Sequence, residues 1–383
     1  MAKLGEVFTI ASGGTPDKGN PFYYENGTIP WVKTGDLKNQ YVPTGIDCIT
    51  EEGLNNSSAK LFPPNTVLVA MYGATIGACS ILSYEAATNQ ACAAFLPNEN
   101  VLPTYLYYFL SSKRDQFVKD GVGGAQPNIS AGYLKNVQFD LVPVRQQEVI
   151  VERLDKVENL IALRKEQLAK LDQLVKSRFI ELFGDPILNS KGWFEETVGD
   201  GCFVTKLAGF EYTQYIHYED SGDVVMVKAQ NVKNGKLNKK DLSFISNEVS
   251  DSLPRSQLAE GDVVMTYVGA NIGDVAVIDS EHKYHLAPNV AKIRPDLKKY
   301  SPIYLMYMLM YLNSYIVGNS ADTAKAALGM ERIRKLKVFV PPIVLQEQFA
   351  AFVEQTDKSK LAIQQSLEKL ETLKKALMQK YFG

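Results

Sequence analysis

The chain has 383 residues, of which 45% are hydrophobic and 22% are charged. This length predicts two or three domains, and the ordinary globular composition excludes a disordered or collagen-like chain. The formal net charge of −2 excludes a uniformly basic nucleic-acid-binding protein but leaves room for a locally basic groove.

The first half of the chain is predicted to fold as a mixed segment followed by one long helix. A β-branched run at residues 66–71 closes in a Gly-rich turn and predicts a buried strand. A helix over residues 104–119 and a strand over 137–142 follow, and the strand ends at a proline. Residues 146–182 then contain no Pro or Gly, which predicts a long uninterrupted helix.

The second half repeats this plan, and the matching segments keep their order along the chain. IPWVK at 29–33 matches VVMVK at 224–228, and TVLVAMYGATIG at 66–77 matches DVVMTYVGANIG at 262–273. YLYYFL at 105–110 likewise matches YLMYML at 304–309. An ordered set of matches at one period indicates an internal duplication. The second copy is therefore predicted to contain a strand at 262–267, a helix at 302–317, a strand at 336–340 and a long helix at 345–381.

The two long helices have the apolar spacing of coiled coils, alternating steps of four and three residues. Because the chain supplies one of each, the simplest arrangement pairs them with each other, antiparallel and with one globular domain at each end. The alternative is that each helix pairs with another chain. The predicted seam residues are Ile150, Leu154, Val157, Ile161, Leu168, Leu171, Phe349, Val353, Ile363, Leu367 and Leu370.

These elements predict an α+β fold in which two repeated mixed domains are separated by two long helices that form an antiparallel coiled coil. The predicted boundaries are a first domain at 1–145, a central helix at 146–183, a second domain at 184–344 and a C-terminal helix at 345–383.

Signatures of catalysis are missing from the sequence. There is no GxxxxGK[ST] phosphate loop, no GxGxxG dinucleotide motif, no HExxH or paired Cys/His cluster, and no Asn-Pro-Pro-aromatic stretch of amino-methyltransferases. We therefore predict no catalytic residue, no metal site and no cofactor bound by this chain. The chain also has no membrane-length apolar run, no signal-peptide core and no CxxC pair, so we expect a cytoplasmic protein with reduced cysteines.

Polar, basic and aromatic residues accumulate near the turns of both copies, and these positions differ between the copies. Lys, Gln and Asn side chains suit base edges, and hydroxyls and Lys suit phosphates, so the residues predict two nucleic-acid readers of different short sequences. In the first copy they are Ser12, Thr15, Lys33, Thr34, Tyr72, Thr75, Gln126 and Asn128. In the second copy they are Lys206, Phe210, Tyr212, Lys228, Gln230, Asn231, Tyr267, Asn271 and Lys325.

With these motifs in view, the whole chain resembles the specificity subunit of type I restriction-modification enzymes. The resemblance is carried by the openings at 13–33 and 205–213, the MYGATIG turn at 71–77 and the helix starts after Pro143 and Pro342. It implies that each mixed domain is a target recognition domain that reads one half of a bipartite double-stranded DNA target. It also implies that the coiled coil sets the spacing of the two halves.

The resemblance further implies partners that carry the chemistry. Two modification subunits would dock on the helices, bind S-adenosylmethionine and methylate adenine, and in systems that have one a restriction subunit would use ATP and Mg. Two other functions are open from the residues alone: a coiled-coil scaffold whose domains bind only proteins, and a nuclease or methyltransferase with an unrecognised site. DNA binding with and without the neighbouring gene products would discriminate among the three.

Overall fold

A computed structural model describes residues 1–121, 128–313 and 328–383. The chain divides into two compact units. The first unit consists of Met1–Glu166 and Gln364–Gly383, and the second unit consists of Gln167–Ile363. The first long helix, Val144–Phe183, and the second long helix, Ile343–Phe382, each contribute one part to each unit.

The first unit contains two four-stranded sheets and one short two-stranded sheet, in the orders β2-β9-β6-β7, β4-β3-β8-β5 and β1-β10. Only the β3–β8 pair is parallel, and the other strand pairs of these sheets are antiparallel. The strands are β1 (Ala2–Lys3), β2 (Ile10–Ser12), β3 (Ile29–Val32), β4 (Cys48–Ile49), β5 (Leu61–Phe62), β6 (Val67–Ala70), β7 (Cys79–Ile81), β8 (Ala86–Thr88), β9 (Cys92–Phe95) and β10 (Gln138–Phe139).

The helix Pro103–Ser112 packs the first unit's sheet against the first long helix. Proline occupies its first turn, where no backbone N–H is needed, and its residues Tyr105, Leu106 and Phe109 are buried in one core with Ile150 and Leu154. The predicted helix 104–119 is therefore two helices, because the chain turns at Lys113. The other helices and 3₁₀ turns are Leu4–Val7, Pro21–Tyr23, Thr34–Asp36, Glu51–Asn55, Gly73–Thr75, Arg114–Asp120 and Ala131–Asn136.

The second unit repeats this topology strand for strand, with the orders β12-β21-β18-β19, β16-β13-β20-β17 and β11-β22. The corresponding central pair, β13–β20, is again parallel, and one additional hairpin, β14-β15, has been inserted. The strands are β11 (Glu195–Thr197), β12 (Cys202–Lys206), β13 (Val224–Val227), β14 (Val232–Lys233), β15 (Lys236–Leu237), β16 (Phe244–Ile245), β17 (Gln257–Leu258), β18 (Val263–Thr266), β19 (Val275–Val277), β20 (Lys283–Leu286), β21 (Val290–Pro295) and β22 (Lys337–Phe339).

The helix Pro302–Tyr311 takes the place in the second unit that Pro103–Ser112 has in the first, and most of it is buried. Its predicted continuation to residue 317 lies partly outside the described residues. The remaining helices and 3₁₀ turns are Val198–Gly201, Gly209–Tyr215, Ala229–Asn231, Asn247–Ser252, Pro254–Ser256 and Met330–Arg334.

Each unit pairs its parts of the two long helices antiparallel, as predicted. In the first unit, Arg153 contacts Tyr381 and Arg164 contacts Ser366, so the partner number falls as the first-helix number rises. In the second unit, an ion pair of 2.6 Å joins Lys360 to Asp172 and the ring of Phe349 contacts that of Phe179, so the partner number falls here too. Both long helices begin two residues before the predicted starts, directly after the prolines.

The predicted seam is fully buried only near the sheets. Ile150, Leu154, Val157 and Ile161 are buried in the first unit, and Phe349 and Val353 are buried in the second. The other five seam residues are half-buried: Leu168, Leu171, Ile363, Leu367 and Leu370.

Two buried aromatics of the first long helix lie outside the predicted seam. Phe179 and Phe183 follow Val175 at steps of four and pack against Tyr304 and Phe349 in the core of the second unit. The helix here leaves the 3.5-residue period because its last turns pack against a globular core rather than against one partner helix.

Among the described residues, no helix combines the length and apolar character needed to cross a bilayer. All four cysteines are free, and three of them, Cys79, Cys92 and Cys202, are buried. Burial raises the pKa of each of these three thiols to about 12, so they are protonated at neutral pH and poor nucleophiles.

A buried lysine predicts that the stability of the second unit depends on pH. Lys292 on β21 is 2% exposed, and its ammonium donates to the backbone carbonyls of Arg255 and Gln257 at 2.6 and 2.8 Å. Burial lowers its pKa from 10.5 to about 8. Between these two values the group is neutral when folded and charged when unfolded, so the free energy of unfolding should rise with pH by on the order of 3 kcal/mol.

Lys292→Met should remove this rise, and denaturant titrations of both proteins at several pH values between 7 and about 10.5 measure it. The matched control is Lys298→Met, because Lys298 is exposed. Parallel pH profiles for wild type and Lys292→Met would contradict the prediction.

Candidate nucleic-acid interface

In the first unit, the ends of several strands meet around the loop 89–91. Asn89 donates its backbone N–H to the carbonyl of Val32 at the end of β3, at 3.0 Å. Met71, directly after β6, donates to the carbonyl of Ala91 at 2.8 Å. Ser12 at the end of β2 pairs with Ala93 at the start of β9. The predicted residues that follow these strands therefore lie along one edge of the first unit, which we call the first edge.

This first edge contains seven of the predicted residues. Tyr72 and Asn128 are exposed and form a backbone bridge, the Thr75 hydroxyl donates to the Tyr72 carbonyl at 3.1 Å, and the Thr15 hydroxyl donates to the Gln90 side chain. Gln126 lies outside the described residues. The seven residues of the first edge are Ser12, Thr15, Lys33, Thr34, Tyr72, Thr75 and Asn128.

The Gly-Gly pair at the start of this edge is explained by packing. A Cβ atom at Gly13 would lie 2.0 Å from the Thr88 carbonyl oxygen, so only glycine allows this approach. The neighbouring Gly14 N–H donates to the same carbonyl at 2.9 Å. That N–H is thus occupied within the fold and is not free for a phosphate.

Lys33 is the basic residue of the first edge, and it is already paired. Its ammonium contacts the Asp47 carboxylate and lies 5.8 Å from the centre of the Trp31 ring. The hydrogen bond to Asp47 raises the pKa of Lys33, so the side chain stays charged. A DNA phosphate would therefore compete with Asp47 for the Lys33 ammonium.

The second unit brings strand ends together in the same way, around the loop 287–289. Ala287 donates to the carbonyl of Val227 at 3.2 Å, and Tyr267 donates to the carbonyl of Asn289 at 2.9 Å. The ammonium of Lys206 lies 5.4 Å from the centre of the Tyr267 ring, within the range of a cation–π contact.

A second basic and aromatic group surrounds Lys228. Its ammonium donates to the Asp241 carbonyl at 3.0 Å and to the Ser243 hydroxyl at 2.9 Å, and it lies 6.0 Å from the centre of the Tyr218 ring. Tyr218 in turn contacts the ring of Tyr212. Lys228 and Tyr212, which are predicted site residues, are thus joined through Tyr218, which is not.

The remaining predicted residues of the second unit are mostly exposed. Phe210 is 66% exposed on the helix Gly209–Tyr215, and Gln230 and Asn271 are exposed at turns. Lys325 lies outside the described residues. The residues that form the second edge are Lys206, Phe210, Tyr212, Lys228, Gln230, Tyr267 and Asn271.

Among the predicted residues that the structure describes, only Asn231 has a side chain that faces the interior. It is 2% exposed, and its amide accepts from the Lys228 N–H and donates to the carbonyls of Asn238 and Lys240. Asp36 makes the equivalent contact in the first unit, accepting from the Lys33 N–H at 2.8 Å. Both residues therefore close a turn three residues after a lysine, and Asn231 does not belong to the exposed second edge.

Three residues that the sequence did not single out also lie on these edges: Gln90, Tyr218 and Asn289. Gln90 and Asn289 are exposed in the two central loops, and Asn289 has a left-handed backbone with a φ of 70°. Their signal in the sequence is a polar residue one or two positions before a buried strand, at TNQA before Cys92 and at APNV, where Val290 begins the strand. Tyr218 carries no local signal, because only the fold brings it to Lys228.

Gln230 and Asn231 are neighbours with opposite environments, which gives a direct test of the second edge. Gln230→Ala should leave the fold unchanged and weaken discrimination at one target position by about 1–3 kcal/mol, because an exposed amide can read a base edge. Asn231→Ala should lower the melting temperature, because it removes the partner of the Lys228 N–H. Thermal melts and binding to single-base target variants measure both effects. Unchanged target preference in Gln230→Ala would remove this position from the interface.

The described residues of the two edges do not meet the requirements of a metal site. In the residues that the structure describes, no group of three or more His, Cys, Asp and Glu side chains is placed to hold a metal ion. What the edges offer instead are amides, hydroxyls, lysines and aromatic rings, which are groups that contact bases and phosphates.

The sequence profile of the type I restriction modification DNA specificity domain matches residues 1–173 and 193–374. The type I restriction enzyme MjaIX specificity subunit of Methanocaldococcus jannaschii is 23% identical, over 99% of this chain and 91% of that protein. The EcoR124I/EcoR124II specificity subunit of Escherichia coli is 31% identical over 41% of this chain and 40% of that protein.

Two solved structures are similar in fold over the whole chain. One, from work on complex assembly and conformational transition of the type I restriction-modification system, has a TM-score of 0.62 at 17% identity and is covered over 96% of its length. The other, a type I restriction-modification S subunit from M. genitalium, has a TM-score of 0.58 at 15% identity and is covered over 95%.

Proposed function

The chain belongs to the type I restriction-modification DNA specificity family and is a specificity subunit with two copies of the family's domain, and from this premise we propose how it reads DNA. The first edge contacts one half of a bipartite double-stranded target, and the second edge contacts the other half. The two long helices set the distance between the halves. The chain itself has no catalytic residue and binds no cofactor.

One observation carries this proposal: the two units share one topology but present different side chains at the same strand ends. Around the loop 89–91 the first edge is rich in hydroxyls, whereas around 287–289 the second edge is rich in lysine and aromatic residues. Two copies of one scaffold with divergent edges are suited to reading two different short sequences, because base contacts depend on the side chains and not on the scaffold.

Sequencing the methylated bases of a host that carries the intact system tests the proposal. We expect one bipartite motif with a fixed spacer, lost on deletion of this gene. With a net charge of −2 the chain alone should bind DNA weakly, and gel-shift affinity should rise when the modification subunits are added. A scaffold that binds only proteins would give no motif that depends on this gene.

The partners that we propose follow from the same premise. Two modification subunits that bind S-adenosylmethionine and methylate adenine dock on the long helices, and a restriction subunit, where the system has one, supplies ATP- and Mg-dependent cleavage. The complex works in the cytoplasm. Two exposed leucines support this docking proposal. Leu174 and Leu373 occupy equivalent positions of the two long helices, are 49% and 46% exposed, and lie in different units.

Placing a charge at these leucines should weaken docking. We expect Leu174→Glu and Leu373→Glu each to weaken one of two docking events by about 1–3 kcal/mol, because a carboxylate would be desolvated in an apolar contact. Titration calorimetry with the modification subunit should then show one normal and one weakened site.

Leu188→Glu is the matched control, because Leu188 is 76% exposed and lies after the helix. Two unaltered sites in both helix variants would mean that the modification subunits dock elsewhere.

A further inference from the structure

Each long helix begins with a buried glutamine that is bonded to three backbone groups of its own unit. Gln147 accepts from the Leu102 N–H at 2.9 Å and donates to the carbonyls of Asn100 and Val142, both at 2.8 Å. Its side chain is fully buried. The glutamine amide therefore joins the first turn of the first long helix to the loop that precedes the helix Pro103–Ser112.

Gln346 makes the same three contacts in the second unit. It accepts from the Ser301 N–H at 2.9 Å and donates to the carbonyls of Lys299 and Pro341 at 2.9 and 2.7 Å. It too is fully buried. Every partner is 199 residues from its counterpart in the first unit.

The partner residues themselves have changed between the copies while the contacts have stayed. Leu102 corresponds to Ser301, Asn100 to Lys299 and Val142 to Pro341. The contacts survive because all three partners are backbone groups, which do not depend on the side chain. Only the two glutamines had to remain, and a buried amide whose polar atoms are all bonded holds one orientation.

A second attachment defines a direction together with the glutamine. In the first unit, Tyr108 on the helix Pro103–Ser112 donates its hydroxyl to the Asp155 carboxylate at 2.6 Å. Gln147 and Asp155 are eight residues apart, which is about 12 Å along the helix. Two fixed points on one helix determine the angle at which the helix leaves the sheet domain.

In the second unit the second fixed point is Asp357 of the second long helix, whose carboxylate accepts from the Lys236 ammonium on β15 at 3.0 Å.

We propose that Gln147 and Gln346 are positioning residues for spacer length: each fixes the angle between a long helix and the sheet domain of its own unit. This inference rests on the proposed function, since the angle matters only if the units read two half-sites. One base pair shifts a half-site by about 3.4 Å and turns it by roughly a tenth of a turn. A rigid joint in each unit would reject that change, and a loosened joint would tolerate it.

The experiment uses the complete complex with its modification subunits. The probes are duplexes that carry the motif methylated by the wild-type system, with the spacer kept, lengthened or shortened by one base pair. For Gln147→Met and Gln346→Met, the ratio of methylation rates on correct and altered spacers should fall about tenfold, equivalent to about 1.4 kcal/mol. Methylation rates on duplexes with a single-base change within either half-site should differ from one another as they do for the wild type.

Leu68→Ala and Val264→Ala serve as controls of stability alone, because these equivalent strand residues are buried in cores that contain no residue of either long helix. They should lower the melting temperature and leave the spacer ratio unchanged. Gln147→Asn keeps the amide but shortens it by one methylene, so it should fold if the Met variant does not, and should give a smaller loss of the spacer ratio.

Met and Asn variants that lose stability but keep the wild-type spacer ratio would overturn the inference and leave the glutamines a purely structural role. Failure of the proposed function gives a different result, because the wild-type complex would then show no bipartite motif at all.

Discussion

Replacing residues 184–344 by the equivalent segment of a relative is expected to change one half of the methylated motif completely and to leave the other half unchanged. The reason is that the second unit forms its edge and both its four-stranded sheets from this one segment. Each base pair that the new segment does not match should cost about 1–3 kcal/mol, so the original half-site should no longer be methylated.

Contacts of the second unit determine where the exchanged segment should begin and end. β11 pairs with β22 just before the second long helix, so the ends of the segment lie side by side. However, Phe179, Phe183 and Phe349 of the long helices belong to the core of the second unit. A donor segment that packs differently against these rings would leave a cavity costing about 3–5 kcal/mol, so the donor should supply the helix ends as well.

Methylome sequencing of the exchanged system reads the result directly. The reciprocal exchange of residues 1–145 is the control and should alter the other half of the motif. Changes in both halves from a single exchange would show that the two units do not read DNA independently.

A paired insertion of seven residues into both long helices is expected to lengthen the spacer while both half-sites keep their sequence. Seven helical residues add about 10 Å, which is about three base-pair steps. The added rotation matches less closely than the added length. A heptad turns a straight helix by about 20°, whereas three base pairs turn DNA by about 100°. We therefore expect a longer preferred spacer and a lower rate than in the wild type.

The contacts of the long helices determine where the insertions belong. Arg164 contacts Ser366, and Asp172 is paired with Lys360, which is 9% exposed in the seam. Insertion after residue 168 of the first helix and after residue 363 of the second lies between these two pairs and preserves both. A polar pair within a seam helps to fix its register, so preserving Lys360 and Asp172 keeps the helices aligned.

An insertion into the first helix alone is the control, because it leaves one heptad without a partner and should reduce activity on every spacer. Methylation rates on a series of duplexes with spacers of different length separate the two designs. If a folded and active double insertion kept the original spacer, the helices would not measure distance and would serve only to dock partner subunits.

The duplication and the two long helices could be predicted from the sequence alone, and the sequence favoured their antiparallel pairing over pairing with another chain. These features are local or periodic: the IPWVK and VVMVK segments align at a nearly constant offset, and the 3.5-residue period is repeated over many turns. It also indicated the edges, because residues such as Tyr72 and Lys228 directly follow buried runs, and a chain that leaves a strand must turn at its end.

Which polar side chains face outward and which stabilise the fold could not be predicted without the tertiary structure. Gln230 and Asn231 are adjacent amides in the sequence, yet one is exposed and the other is buried and bonded to the backbone of Lys228, Asn238 and Lys240. Gln147 and Gln346 carry a helix-start pattern in the sequence, while their role depends on carbonyls and an N–H up to 47 residues away. The period of a sequence predicts which face of its own helix or strand a side chain occupies. The hydrogen-bond partner of a buried amide depends instead on which other helices, strands and loops pack against that face.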